Sequence, residues 1–212
     1  MVEAGESGRA VKGGATLDGI RVVPADTVHW ADLAAVFGAR GPASRCYCQR
    51  YKLAPRESFA AFPAQERAAR LREQAGCDDP GSGTSGLVAH LGDEPVGWCA
   101  VEPRPAFGGL VRTARVPWVD RDEDPADASV WAVTCLLTRA GHRRRGVSRA
   151  LARAAVEHAR TAGARALEAY PMTTTAAVTE ELHVGTVATF AAAGLREVGR
   201  PTLRRAVMRI DF

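Results

Sequence analysis

The chain has 212 residues, 46% of them hydrophobic and 25% charged; that is enough apolar material for one buried core, and no stretch approaches the ~20 apolar residues of a membrane span. The formal net charge of +4 is mild and almost wholly arginine-borne, Lys12 and Lys52 being the only lysines, which points to an anionic small ligand and disfavours nucleic acid as an extended partner. Five scattered cysteines, an odd number, argue against a disulfide framework; with a start that lacks the basic and apolar regions of a signal peptide, they lead to an expected cytoplasmic location.

Residues 1–17 are rich in glycine, small and charged side chains and show neither structural period, which predicts a flexible tail ahead of one domain over 18–212. Gly19 to Val23 reads as a short strand. Pro24 to Thr27 then turns the chain, with Asp26 or Thr27 placed to cap a helix over Val28 to Phe37. Gly38 and Gly41-Pro42 break that helix. The next segment, Cys46-Tyr-Cys48-Gln-Arg-Tyr51, holds two thiols one residue apart, but no second Cys or His pair stands at zinc-site spacing, so thiol packing beside Tyr47 and Tyr51 is expected and no metal.

A second helical pattern runs over Ser58 to Gln74, effectively from Phe62 or Pro63, and Asp78 to Gly86 is a loop. Gly86 to Leu91 and Val96 to Glu102 flank the turn Gly92-Asp93-Glu94-Pro95 and predict a hairpin. Trp98, Trp118 and Trp131 fall in or beside strands, where core packing with a partnered indole N–H is expected. Asp120, Asp122, Glu123, Asp124 and Asp127 crowd the next connection. Such a run is a solvated loop, or, folded over a pocket, an attractor for a cationic amine.

Val133, Leu136, Leu137 and Thr138 then favour an extended strand, and Arg139 to Arg145 supply a basic turn. Beyond Gly146, apolar residues at Val147, Ala150, Leu151, Ala154, Ala155 and Ala159 recur at three- and four-residue steps, the mark of a helix with one buried face. The first-turn N–H groups of such a helix lack internal partners and carry the positive end of its dipole. Strand, basic glycine turn and helix together form a phosphate cradle.

The order Arg143, two residues, Gly146, one residue, Ser148 resembles the acetyl-CoA signature of the GNAT superfamily of acetyltransferases, with Ser148 where glycine or alanine is usual. The likeness continues into Arg165 to Pro171, similar to the family's next parallel strand, and into Phe190-Ala-Ala-Ala-Gly194-Leu195, similar to its last helix and glycine-hydrophobe exit. Upstream, Gly86 to Glu102 resembles the central hairpin, so that the resemblance spans about residues 18 to 212. It implies an α/β (α+β) fold with a mixed central sheet of about six or seven strands flanked by helices, in which a splayed parallel strand pair binds acyl-CoA.

The resemblance also implies an N-acetyltransferase that moves an acetyl group from acetyl-CoA, its co-substrate, directly to a primary amine of a small molecule, with a peptide or protein amine also open. Its cofactor contacts would come from Arg143, Arg144, Arg145, Gly146, Val147 and Ser148, and from the backbone of Leu136, Leu137 and Thr138. A monomer and a homodimer both fit. The loop after the first helix commonly borders the acceptor pocket in this family, which brings the Cys46 to Tyr51 segment into view for substrate choice. The family often carries a proton-donating tyrosine four residues before the glycine of its last helix; Phe190 stands there, and the strand from Ser129 to Thr138 lacks the carboxylate that many members use as a base. Glu168, Tyr170 and His183 are left as candidates for acid and base, His183 having the reference pKa nearest neutrality. Cys135 has no visible partner and reads as a core thiol rather than a nucleophile. Two other classes stay open, a CoA-binding module without catalysis and an arginine-rich nucleic-acid-associated protein.

Overall fold

The structure, a computed structural model, describes residues 15–17, 19–113, 116–174, 176 and 182–212. Its strands are β1 (Ala15–Leu17), β2 (Ile20–Pro24), β3 (Gly86–Leu91), β4 (Glu94–Pro103), β5 (Val130–Thr138), β6 (Ala166–Ala169), β7 (Arg196–Thr202) and β8 (Arg205–Asp211). The helices are α1 (Trp30–Phe37), α2 (Ala43–Cys46), α3 (Ala64–Ala75), α4 (Gly108–Thr113), α5 (Val147–Thr161) and α6 (Val187–Ala191). The strands form one mixed sheet in the order β1-β2-β3-β4-β5-β6-β8-β7. Every neighbouring pair is antiparallel except β5 and β6, which run parallel.

The expected mixed sheet with flanking helices is present, and it has eight strands. The additions are at the two edges. Ala15–Leu17 pairs with Ile20–Val22 just upstream of residue 18, where the folded domain was expected to start, and the C-terminal segment folds back as the β7–β8 hairpin. The rest of the expected tail, residues 1–14, lies outside the described residues. The predicted central hairpin forms as β3 and β4 around Gly92, whose φ of +60° is the left-handed conformation that a tight two-residue turn demands.

Helix α5 covers one face of the sheet. Its predicted apolar stripe is buried, and Val147, Leu151 and Ala155 pack with Ile20, Val96, Leu167 and Phe190. Gly97 of β4 lets the start of the helix sit low on the sheet, because a Cβ there would lie 2.5 Å from Val147 Cγ1 and 3.0 Å from Leu151 Cδ1. Full burial of side chains such as Leu151 contributes roughly 1.5–3 kcal/mol each. The opposite face carries α1 and α3, with Leu33, Phe37 and Leu71 against Val88, Trp98 and Ala132.

The N-terminus of α1 departs from the local expectation. Neither Asp26 nor Thr27 caps it: residues 25–27 form a 3-10 turn, Asp26 is buried and accepts from the Gly81 N–H at 3.1 Å, and the Thr27 hydroxyl donates to the Pro24 carbonyl at 2.7 Å. The carboxylate comes instead from Asp78, which accepts from the Trp30 N–H at 3.4 Å and lies 2.8 Å from His29 Nδ1. A partner distant in sequence has displaced the nearby one, which no local pattern reveals. Among the described residues, no helix is long and apolar enough to cross a membrane, and no group of three or more His, Cys, Asp and Glu is placed to hold a metal.

Candidate functional site

β5 pairs with β6 only from Val130 to Val133, while on its other side it stays paired with β4 out to Thr138. Among the described residues, no strand pairs with Thr134 to Thr138 on the β6 side, so the parallel pair splays open there. The Arg139 N–H donates to the Val96 carbonyl at 2.8 Å. Strand alternation therefore turns Leu137 toward β4 and aims the backbone of Leu136 and Thr138 into the gap. Of the three backbone positions expected along this strand, two face the opening and Leu137 faces the sheet.

At the end of β5 the chain passes through Arg143, Arg144 and Arg145, all exposed, to Gly146, the N-cap of α5 with φ +85°. No side chain caps the helix, and its first carbonyl accepts from Arg149 at 2.9 Å and Ala150 at 3.0 Å, which leaves the N–H groups of Val147 and Ser148 unspent. The turn is held from both ends. Arg139 and His142 reach Glu94 at 3.0 and 3.3 Å, and the Thr138 and Ser148 hydroxyls are 3.2 Å apart. Arg143, Arg144 and Arg145 have no carboxylate partner among the described residues, so the cradle presents fixed positive charge and oriented amides to an anion.

Beside this edge lies a cavity of about 420 Å³, within the usual range for small-molecule sites. Phe37, Pro42, Phe59 and Leu137 supply apolar wall, Cys46, Cys48 and Cys135 supply thiols, and Arg45, Arg50, Arg67, Arg143 and His183 supply polar groups. The cysteine-tyrosine segment thus borders a pocket. Its backbone is unusual: Tyr47 and Cys48, neither of them glycine, both sit at positive φ, 46° and 54°, a pairing that costs energy and persists only where the surroundings fix it. Tyr47 stacks on Phe37 with centroids 4.9 Å apart, and the buried Gln49 donates to Gln74 at 2.8 Å. Burial raises the Cys46 thiol above its ordinary pKa and raises Cys48 well above it, the latter with help from Cys135 as a hydrogen-bond partner. These are protonated, packed thiols. Trp98, fully buried behind them, donates to Cys48 Sγ at 3.2 Å.

Of the three acid-base candidates, only His183 lines the cavity. Glu168 is fully buried and held by Arg209 at 2.8 Å, Arg104 at 3.3 Å, Arg121, and the Tyr170 hydroxyl at 2.9 Å. Burial pushes its pKa up, but the hydrogen bond and charge of Arg121, then Arg104 and Tyr170, outweigh that and hold it below the usual carboxylate value. Tyr170 is pushed well above its ordinary value by burial and by Glu168. Both residues belong to an ion network in the sheet rather than to the cavity wall. The acidic connection joins the same network: Glu123 meets Arg104, Arg121, Arg165 and Arg209, and Asp127 meets Arg165. That loop lies where β5 begins, the far end of the strand from the arginine turn, with Glu123 and Asp127 held by arginines. It is no attractor for an amine at this cavity.

The sequence profile of the acetyltransferase (GNAT) family matches residues 49–182. The chain belongs to that family. Among solved structures, the fold is similar to an N-acetyltransferase from Staphylococcus aureus Mu50, with a TM-score of 0.53, 12% identity, and coverage of 91% of this chain and 98% of that one. It is also similar to the GNAT domain of S. lividans PAT, with TM-score 0.51, 19% identity, and coverage of 91% and 90%. A GCN5-related N-acetyltransferase from Kribbella flavida aligns with TM-score 0.50, 18% identity, and coverage of 92% and 99%. Identities at this level speak to the fold. No curated protein matches in sequence.

GNAT enzymes are acyltransferases that use acetyl-CoA as co-substrate, and the residues of this GNAT chain fit that molecule. The splayed edge of β5 offers backbone groups for an amide-rich arm, and the uncapped, glycine-started α5, beside three arginines that have no carboxylate partner among the described residues, offers donors for a pyrophosphate. Phe190, in the family's tyrosine place, is completely buried, and its ring packs so closely on Gly185 that a Cβ there would lie 2.7 Å from it. The sequence reading missed Arg45, Arg50 and Arg67 as pocket residues, since nothing local distinguishes them from solvated arginines. It also passed over Lys52, whose ammonium pairs with Glu102 and lies 4.7 Å over the Phe107 ring.

Proposed function

We propose that this chain is an N-acetyltransferase that moves an acetyl group from acetyl-CoA directly to a primary amine of a small molecule. The observation that carries the reading is the parting of β5 from β6 after Val133 beside the uncapped N-terminus of α5. When bound, acetyl-CoA supplies the activated acetyl thioester. Val147 and Ser148 N–H groups, with Arg143, Arg144 and Arg145, hold the pyrophosphate. Leu136 and Thr138, the two positions aimed into the gap, hold the amide-rich arm and polarise the thioester carbonyl. His183, on the cavity wall, takes the proton of the incoming ammonium directly or through water. The raised, buried thiols support direct attack by the amine over an acyl-enzyme.

A cytoplasmic location goes with this reading, supported by five free cysteines. The molecule works as a monomer or homodimer. A second reading, CoA binding without transfer, is favoured by Phe190, whose ring cannot reprotonate a departing thiolate, and by the lack of a carboxylate in β5.

Thermal shift with acetyl-CoA, CoA and ATP tests the proposal, on the native chain and on Arg143→Ala combined with Gly146→Asp. At a ligand concentration ~100-fold over Kd the stabilisation is about 2.7 kcal/mol, or roughly 5–11 °C in a chain of this size. Both CoA species should give the shift, ATP should not, and the double variant should lose it. No shift with either CoA species overturns the proposal; a shift without acetylation of any amine in a broad panel selects the second reading.

A further inference from the structure

We propose that the cavity beside β5 takes an acceptor in which the amine is joined to an anionic group, carboxylate or phosphonate, on an apolar body. This rests on the acetyltransferase reading above and names the substrate class for it. Four guanidinium groups, those of Arg45, Arg50, Arg67 and Arg143, line the cavity together with Phe37, Phe59, Pro42 and Leu137, and no Asp or Glu lines it among the described residues. None of the four is paired with a carboxylate among the described residues.

Arg67 is the strongest of these observations. It is 8% exposed, and its Nε donates to the Arg45 carbonyl at 2.6 Å while its Nη1 donates to the carbonyls of Phe59, at 2.9 Å, and Phe62. These main-chain oxygens take its Nε and Nη1 hydrogens, yet they bring no negative charge, and a buried cation without a counterion is costly. Two guanidinium groups are also fixed over one ring, Arg67 at 4.2 Å and Arg50 at 5.0 Å from the Phe59 centroid. Ordering of this kind lowers the entropy lost on gripping an anion.

Among the described residues, the remaining groups do not offset the charge. Burial keeps the Cys46 and Cys48 thiols protonated and neutral, and the acidic run of residues 120–127, in which Glu123 and Asp127 pair with arginines, lies at the opposite end of β5. A polyamine or a lysine side chain would enter a field of its own sign. Arg143 belongs to the phosphate turn, whereas Arg45, Arg50 and Arg67 come from α2, the turn after it and α3, a separate part of the chain. Those three therefore stand available to the acceptor, while the aromatic and aliphatic wall receives the apolar body.

The test uses phenylalanine, leucine and methionine, their decarboxylated amines, their aminophosphonate counterparts, and spermidine. Acetyl transfer is read by thiol release at saturating acetyl-CoA, and binding of each probe alone is read by calorimetry, on the native protein and on Arg45→Gln combined with Arg50→Gln. The anionic amines should exceed their decarboxylated partners in kcat/KM by roughly 10- to 100-fold, the worth of one or two charge-assisted hydrogen bonds. The double variant should lose that preference while keeping its acetyl-CoA thermal shift. The carboxylate and phosphonate arms decide which anion fits. Equal or greater turnover of the decarboxylated amines or spermidine overturns the inference, as does a preference that survives in the double variant. If no amine is acetylated, calorimetry separates the two claims: anionic probes that bind, more weakly in the double variant, keep the anion site and remove the transferase reading; absence of binding by every anionic probe removes the site itself.

Discussion

The hydroxyls of Thr138 and Ser148 stand 3.2 Å apart, linking the last residue of β5 to the first turn of α5 across the arginine loop. The contact sits where the strand edge and helix amides converge, so the residue at 148 affects ligand and helix in different ways. Ser148→Asp should leave the melting point unchanged or raise it by roughly 1–4 °C, because a carboxylate in the first turn favours the helix dipole by about 0.3–1 kcal/mol. The same charge should weaken acetyl-CoA binding about 100-fold or more, since it faces the phosphate cradle. Opposite signs in melting and calorimetry are the outcome to look for; parallel losses would mean that the loop had merely unfolded.

Gly97 sets how low α5 rides on the sheet. Gly97→Ala brings a methyl group to 2.5 Å from Val147 Cγ1 and 3.2 Å from the Leu137 carbonyl oxygen. The expected cost is about 1–3 kcal/mol, or roughly 2–12 °C in melting temperature. Acetyl-CoA affinity should fall as well, because the helix start is what moves. Gly163→Ala, at a φ of +80° in open space, should cost stability without changing affinity.

Glu168 joins three arginines and a tyrosine inside the sheet. Glu168→Gln removes the buried one of the two carboxylates, with Glu123, that face Arg104, Arg121 and Arg209, and should destabilise by about 3–5 kcal/mol, roughly 6–20 °C. Its folded-state pKa is depressed. The stabilisation is therefore complete above the unfolded carboxylate value of about 4.3, and it is lost as pH falls below that value and through the folded one. Melting curves at pH 7 and pH 3.5 should show a smaller difference between native and variant protein at the acid end.

His183 is the acid-base candidate on the cavity wall. His183→Ala should lower kcat by about 10²- to 10⁴-fold and leave the acetyl-CoA thermal shift in place. The shape of the pH–kcat profile should change along with the loss of rate. A lowered rate with an unchanged profile would make the residue a wall and nothing more.

Cys135 borders both the gap and the cavity. Cys135→Ala should keep transfer within about threefold, with no burst in the native enzyme, as direct attack requires. Burst kinetics lost in the variant would establish an acyl-enzyme.

What the sequence discloses here follows the range of the physics involved. Helix α5 and its glycine turn were legible because spacing, propensity and the special conformation of Gly146 are local properties. The hairpin at Gly92 was legible for the same reason. The eighth strand, the Asp78 carboxylate at the start of α1 and the ion network around Glu168 depend on partners far apart in the chain, 48 residues in the case of Asp78 and Trp30. Glu168 and Tyr170 looked catalytic because they are titratable and near the right strand end; only their neighbours reveal that they are engaged elsewhere. Arg67 was hidden in the opposite sense, as a helical arginine whose sequence context is that of solvent.

Lys52 is one of two lysines in a chain with 28 basic residues, and its ammonium is shut between the Glu102 carboxylate and the Phe107 ring with 9% of the side chain exposed. An enzyme that carries an acyl thioester exposes its own amines to adventitious modification. Guanidinium groups stay protonated and do not react in this way, and Lys52, shut in by Glu102 and Phe107, lacks the access. With arginine at nearly every cationic position, Lys12 is the one other side-chain amine in the sequence at which self-acylation or an amine-directed cross-linker would be sought.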